Sequence, residues 1–107
     1  MNISCMAELD PHTNYVNRDE RKMFYLYVLK SKQDGELYIG FTNNLERRIR
    51  DHNNGLVPST HFRKPFECVY CEGYKSEKDA RQREVNLKLR SRAFAQLKKR
   101  IYDSLLT

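Results

Sequence analysis

Apolar residues in this chain come in short blocks separated by polar, turn-rich stretches. Residues 24–30 read Phe-Tyr-Leu-Tyr-Val-Leu-Lys, an aromatic and aliphatic block that predicts a strand. Its apolar side chains fall on both faces: Phe24, Leu26 and Val28 on one, Tyr25, Tyr27 and Leu29 on the other. Cover is therefore expected on both sides of the sheet. Asp34-Gly35 marks a turn, and residues 37–41 form a second strand. Thr42, Asn43 and Asn44 offer helix N-caps, and Leu45, Ile49 and His52 then make one stripe of a helix ending near Asn53-Asn54-Gly55. Residues 55–65 read as a loop and residues 66–74 as a third strand. Ser76 caps a second helix, with Glu77 and Asp79 in the first turn, where the helix dipole favours acids. Ser91 interrupts that helix. A basic amphipathic helix follows, with Phe94, Leu97, Ile101 and Leu105 along its apolar side. Residues 1–22 show no apolar period and are expected to be a disordered tail, with Met23 as a candidate functional start. The predicted order is ββαβαα: a small three-stranded antiparallel sheet flanked by helices, an α+β fold in one domain over residues 23–107.

Composition narrows the partner. The chain has 107 residues, 32% of them charged, and a formal charge of +6. The excess lies outside the tail, because residues 23–107 hold 17 basic residues against 10 acidic ones. A compact basic domain fits a polyanion, most simply nucleic acid, although part of such charge serves only solubility. No apolar run approaches the ~20 residues of a membrane helix. The N-terminus lacks a signal-peptide core, so a cytosolic location is expected, and a monomer is expected with it. Three cysteines, an odd number, argue against a disulfide framework. Cys68-Val69-Tyr70-Cys71 looks like half a zinc site, but strand alternation would send positions three apart to opposite faces. A second ligand pair is missing as well, so no zinc is expected.

A set of polar residues stands out once these elements are placed. A four-residue hairpin loop over residues 31–34 would pair Lys30 with Gly35 and set Tyr27 directly across from Tyr38. A two-residue Asp34-Gly35 turn would keep both on one face, four residues apart along the ladder. The longer loop is expected, since it lets the two phenols cooperate. Gly40 within the second strand signals close approach of another group. On the first helix Arg47 should point to solvent, while Arg48 sits beside the buried stripe one turn before His52, so that both can look into a site at the sheet edge. Glu84 lies at the edge of the packed stripe of the second helix, where a carboxylate must be paired or hold a metal. Singly, each residue has an ordinary reading: sheet-packing tyrosines, a solvated arginine, a boundary histidine, a Glu84 ion pair with Lys88, Arg81 or Arg48. Together they suit phosphoryl chemistry with one metal. Glu84 would hold Mg²⁺ (or Mn²⁺), Arg48 would clamp the transition-state charge, and Tyr27 or Tyr38 would orient or deprotonate the attacking water. Arg63, Lys64, Lys98, Lys99 and Arg100 are candidate phosphate contacts.

The set resembles the GIY-YIG nuclease superfamily. The first family motif corresponds to Tyr25-Leu26-Tyr27, which keeps only the tyrosine of the literal Gly-Ile-Tyr, and the second to Tyr38-Ile39-Gly40. The family arginine corresponds to Arg48, its frequent histidine to His52 and its metal-binding glutamate to Glu84. The resemblance covers about residues 23–90 and is greatest to small stand-alone bacterial members. It implies a Mg²⁺-dependent endonuclease acting on DNA, with RNA as the alternative substrate, in DNA repair or processing. Two other readings stay open at this level: a catalytically idle nucleic-acid-binding module on the same scaffold, and a protein-interaction domain using Phe94, Leu97 and Ile101.

Overall fold

The computed structural model describes residues 22–107, so residues 1–21 of the expected tail lie outside the described residues. Strands β1 (Phe24–Ser31), β2 (Leu37–Thr42) and β3 (Phe66–Tyr74) form one antiparallel sheet in the order β2-β1-β3. Helix α1 (Leu45–Asn53) follows β2, and a 3-10 turn (Pro58–Arg63) precedes β3. Helices α2 (Glu77–Leu89), α3 (Ser91–Arg100) and α4 (Tyr102–Leu106) complete the chain. The α+β class and the ββαβαα order hold. The last predicted helix is split at Ile101, and the expected loop carries the 3-10 turn.

The caps lie where short polar side chains stand. Asn44 accepts from the Arg47 N–H at 3.1 Å and starts α1, and Ser76 accepts from the Asp79 N–H to start α2. Helix α1 ends at Gly55, whose φ of +75° only glycine adopts without strain. There the Gly55 N–H bonds to the carbonyl of His52 and the Leu56 N–H to that of Asp51.

Because β1 is central, both its faces are covered, as its unbroken apolar block requires. Leu26 and Val28 pack with Ile39, Leu87, Leu97 and Ile101 under α2 and α3. Tyr27 and Leu29 pack on the other side with Leu45 of α1, Phe66 and Cys71. Leu26, Leu29 and Leu45 are fully buried, each contributing roughly 1.5–3 kcal/mol by leaving water. Helix α2 is also held by a polar clamp. The Glu72 carboxylate accepts from the hydroxyls of Tyr70 and Tyr74 and from Arg83, whose Nε and Nη2 reach it at 3.0 and 3.1 Å. This fixes the rotation of α2 and hence the direction of the next residue, Glu84.

Two expectations need correction. The hairpin register pairs Lys30 with Leu37 and Tyr27 with Gly40, not Lys30 with Gly35 and Tyr27 with Tyr38. The connection is longer because it is knotted by its own polar groups. Ser31 Oγ accepts from the N–H groups of Gln33 and Asp34, Asp34 accepts from the Glu36 N–H, and Gly35 turns the chain at φ +73°. A shift of two residues preserves facing, so Tyr27 and Tyr38 remain on one face as diagonal neighbours. The second correction concerns Cys68 and Cys71. A bulge displaces the β1–β3 register between Val28 and Leu29, so that Val28 faces Tyr70 but Leu29 faces Cys68. The extra residue restores parity, and both cysteines lie on the Tyr27 side of the sheet, Cys71 directly across from Tyr27. Cys68 Sγ donates to the Tyr70 carbonyl at 3.5 Å, and the mutual influence of the two neighbouring thiols holds the pKa of Cys68 up and that of Cys71 down.

Candidate active site

The site is built on the Tyr27 face of the sheet, beneath α1. Tyr27 is 1% exposed and His52 fully buried, so His52 is a core residue, as its place on the Leu45–Ile49 stripe requires, and not a boundary histidine. The Tyr27 hydroxyl and His52 Nε2 are 2.8 Å apart, and His52 Nδ1 is 2.8 Å from Thr60 Oγ1. Thr60 Oγ1 donates to the carbonyl of Val57, because a carbonyl can only accept. The hydroxyl therefore accepts from Nδ1–H of His52, and Nε2 is left to accept from Tyr27 O–H. Strand β1, helix α1 and the 3-10 turn are thus joined by one chain of hydrogen bonds, Tyr27 to His52 to Thr60 to Val57.

Around this brace the other groups converge. The Tyr38 ring meets His52 edge-on at 5.1 Å between centroids and lies 6.5 Å from Phe66. Unlike Tyr27, Tyr38 is half-buried and reaches the surface. Arg47 is exposed, as its azimuth predicts, and Arg48 is half-buried. The Arg48 Nε is buried and finds no acceptor among the described residues. Glu84, with a side chain 17% exposed, pairs with Lys88 at 2.9 Å, and the Lys88 ammonium sits 5.9 Å from the centre of the Tyr38 ring. The charges of Arg48 and Glu84 both act on the Tyr27 hydroxyl. His52 thus touches both Tyr27 and Tyr38, Lys88 links Glu84 to the Tyr38 ring, and the Arg48 charge acts on Tyr27 and His52, although these residues span 57 positions of sequence. Gly40 explains itself here. A Cβ on it would lie 2.7 Å from Tyr27 Cε1 and overlap the end of that ring, so the approaching group is the tyrosine itself.

The electrostatics follow from burial. Burial pushes the Tyr27 phenol up to about 12, against the lowering effect of Arg48. Burial, then the neighbouring Arg48 cation, pulls His52 down to about 4, with Asp51 opposing. The brace is consequently neutral near neutral pH. This gives a prediction with a definite sign. In the unfolded chain His52 takes a proton near its ordinary 6.5, and in the folded protein not until about 4. Stability should be complete above pH 6.5 and fall as the pH drops, by about 3 kcal/mol at pH 4. Glu72 and Asp34 have depressed pKa values, so their losses begin only below their ordinary 4.5 and 3.8. Urea midpoints between pH 7.5 and 5 should isolate His52, and His52→Gln should flatten that slope. An unchanged slope in the variant would show that the histidine is not held neutral.

The candidate phosphate contacts are more dispersed. Arg63 is engaged by Asp34 at 2.9 Å and lies over Phe66, which ties the 3-10 turn to the β1–β2 loop. Lys64 follows it and is exposed. Lys98, Lys99 and Arg100 occupy the last turn of α3, whose buried residues belong to the opposite core. The structure does not bring them to the Tyr27–His52 group; Lys98 lies over Phe94, and Arg100 lines a groove with Tyr70, Glu72, Tyr74 and Arg83. Sequence reasoning gave Thr60 no role, since nothing local marks a threonine in a loop as a partner for a histidine eight residues earlier.

A GIY-YIG catalytic-domain profile matches residues 23–100. The chain belongs to the GIY-YIG family. It is 46% identical over 67 residues to a UPF0213 protein of Clostridium perfringens, covering 62% of this chain and 71% of that one. It is 41% identical over 69 residues to a UPF0213 protein of Staphylococcus saprophyticus, covering 64% and 83%. The solution NMR structure of a Bacillus halodurans UPF0213 protein is similar at 35% identity and a TM-score of 0.45, covering 70% of this chain and 81% of that one. Membership of a nuclease family points to a nucleic acid substrate. No helix among the described residues is long and apolar enough to cross a membrane.

Among the described residues no three or more His, Cys, Asp or Glu side chains cluster to hold a metal. Glu84 is a single, largely buried carboxylate whose present partner is a lysine ammonium. That donor set does not suit zinc, which takes three or four protein ligands. It fits a hard divalent cation bound by one carboxylate, with water and phosphate oxygens in the other positions.

Proposed function

We propose that this protein is a Mg²⁺-dependent endonuclease that hydrolyses phosphodiester bonds in DNA, in repair or processing. The observation that carries the proposal is the half-buried Arg48 guanidinium, whose charge and that of Glu84 both act at the Tyr27 hydroxyl. The N–H groups that this half-buried guanidinium keeps toward solvent can take an anionic phosphate oxygen by charge-assisted hydrogen bonds. Arg48 then stabilises the charge that grows on the phosphoryl group during attack. A hard divalent cation held by Glu84 supplies charge stabilisation at the leaving 3′ oxygen when bound.

Exposure divides the work between the phenols. Tyr27 is buried with its hydroxyl committed to His52, so it acts as a positioning residue, holding Arg48 and the Tyr38 ring in place. Tyr38 reaches the surface and is the group that orients the attacking water, whose proton passes to solvent. The water oxygen bonds to phosphorus, the bond to the 3′ oxygen breaks, and solvent protonates the leaving oxygen.

The direct test is cleavage of a panel of end-labelled DNAs, single-stranded, duplex and branched, in Mg²⁺, Mn²⁺ and EDTA. Cutting of at least one form in either metal and none in EDTA is expected; no cutting of any form would overturn the proposal. The division of labour has its own test. Tyr38→Phe should lower the cleavage rate by ~10²-fold or more and leave stability within about 0.5 kcal/mol. Tyr27→Phe should also cost about 1–3 kcal/mol in stability, because it leaves His52 Nε2 buried without a donor. Equal stability losses in the two variants would contradict the assignment.

A further inference from the structure

Phe62 is the most exposed large apolar side chain among the described residues, at 84%, ahead of Leu89 at 78% and Leu56 at 67%. It sits in the 3-10 turn two residues after Thr60, the residue that holds His52. The turn is not a loose loop. Ser31 Oγ donates to the Arg63 carbonyl at 2.6 Å, and the Lys32 N–H donates to that of Pro65 at 2.9 Å. Arg63 pairs with Asp34, and Asn53 bonds both ways to the Phe66 backbone, at 2.6 and 3.1 Å. His61 meets the Phe62 ring edge-on at 4.6 Å, which limits its orientation. Residues 53–66 carry the basic Arg63 and Lys64 and no acidic residue, and Lys64 is exposed beside the Arg63–Asp34 pair.

A rigid platform that presents a bare aromatic ring in a positive stretch, joined by two hydrogen bonds to the candidate active site, suits one ligand chemistry. We propose that Phe62 is a base-stacking contact. Its ring takes the face of an unpaired base in the DNA strand that passes through the site, while the exposed Lys64 lies along the backbone. A base paired and stacked within a duplex has no face to offer, so the contact favours DNA with an unpaired stretch beside the cut. The charge of the stretch selects a polyanion, and the flat ring selects a base within it; base–aromatic stacking is sequence-tolerant, because every base has a π face. The inference rests on the nuclease reading above and adds to it the form of the substrate.

The test is binding, measured by fluorescence anisotropy in EDTA with the full chain and labelled DNA of one sequence in three forms: single strand, blunt duplex, and a single strand made abasic over its central positions. Wild type, Phe62→Ala, Phe62→Leu and Phe62→Trp are compared after confirming equal melting temperatures. Phe62→Ala and Phe62→Leu should bind the single strand about tenfold more weakly or worse, change less than about twofold on the duplex, and match wild type on the abasic strand. Phe62→Trp should keep or exceed wild-type affinity. Equal loss on all three forms, or Phe62→Leu behaving as wild type, would overturn the stacking role. So would concentration-dependent self-association that Phe62→Ala abolishes, since the ring would then serve a second copy of the chain. The two proposals fail separately. Selective weakening of single-strand binding with no cleavage under any condition would defeat the nuclease reading alone. Cleavage with binding indifferent to Phe62 would defeat this one alone.

Discussion

Glu84→Gln should reduce cleavage to the uncatalysed background while leaving the fold and DNA binding in place. The amide has the shape of the carboxylate but no charge, and it is a weaker ligand for a hard cation. Binding rests on the basic surface, so removing one negative charge should strengthen it slightly. The structural cost can be bounded from the geometry. Glu84 is 17% exposed, but its partner Lys88 is 47% exposed, and the two are an i,i+4 pair on one helix. Lys88 can turn to water when the carboxylate is gone, so the loss should be about 1 kcal/mol or less, well short of the ~3–5 kcal/mol of a fully buried pair. Melting temperature, cleavage and affinity measured on the same preparation decide the matter. A lowered melting temperature with cleavage intact would make Glu84 a structural ion-pair partner and leave the metal without its ligand.

The parts of this protein legible in the sequence are those with a local physical signature. The aromatic blocks gave the strands, Asn44 and Ser76 the helix starts, and Gly55 the end of α1. The azimuths of Arg48 and Glu84 set each at the edge of a buried stripe, where both side chains are half-buried or more and both charges act on the Tyr27 hydroxyl. What escaped was set by contacts between distant segments. The hairpin register depends on a loop that Arg63, from beyond α1, ties down through Asp34. The common face of Cys68 and Cys71 depends on a bulge that no residue of β3 announces. Thr60 bonds to His52 only because the 3-10 turn folds back beneath α1. The convergence of the tyrosines survived the register error because the slip was of two residues, and a slip of one would have put them on opposite faces.

Gly40→Ala should be as damaging as a change at a polar site residue, for a steric reason that can be isolated. On a strand interior this substitution ordinarily helps by up to ~1 kcal/mol, since alanine loses less backbone entropy on folding. Here Gly40 is the direct cross-strand partner of Tyr27, and a Cβ would overlap the far end of that ring. The ring has nowhere to go, being 1% exposed and bonded to His52 through its hydroxyl. Overpacking of this kind costs about 1–3 kcal/mol, a fall of roughly 5–20 °C in melting temperature for a domain of this size. The displaced ring would also disturb the His52 brace that supports Tyr38 and Arg48, so cleavage should fall well beyond what the stability loss explains. The control is the same substitution in a Tyr27→Ala background. With the ring gone, Gly40→Ala should cost nothing or stabilise slightly, and the double-mutant cycle should show a coupling of about 1–3 kcal/mol. Equal penalties in the two backgrounds would mean that Gly40 is needed for its backbone and not for the space it yields to Tyr27. The glycine of the Tyr-Ile-Gly motif would then answer to the course of β2 and not to the tyrosine across from it.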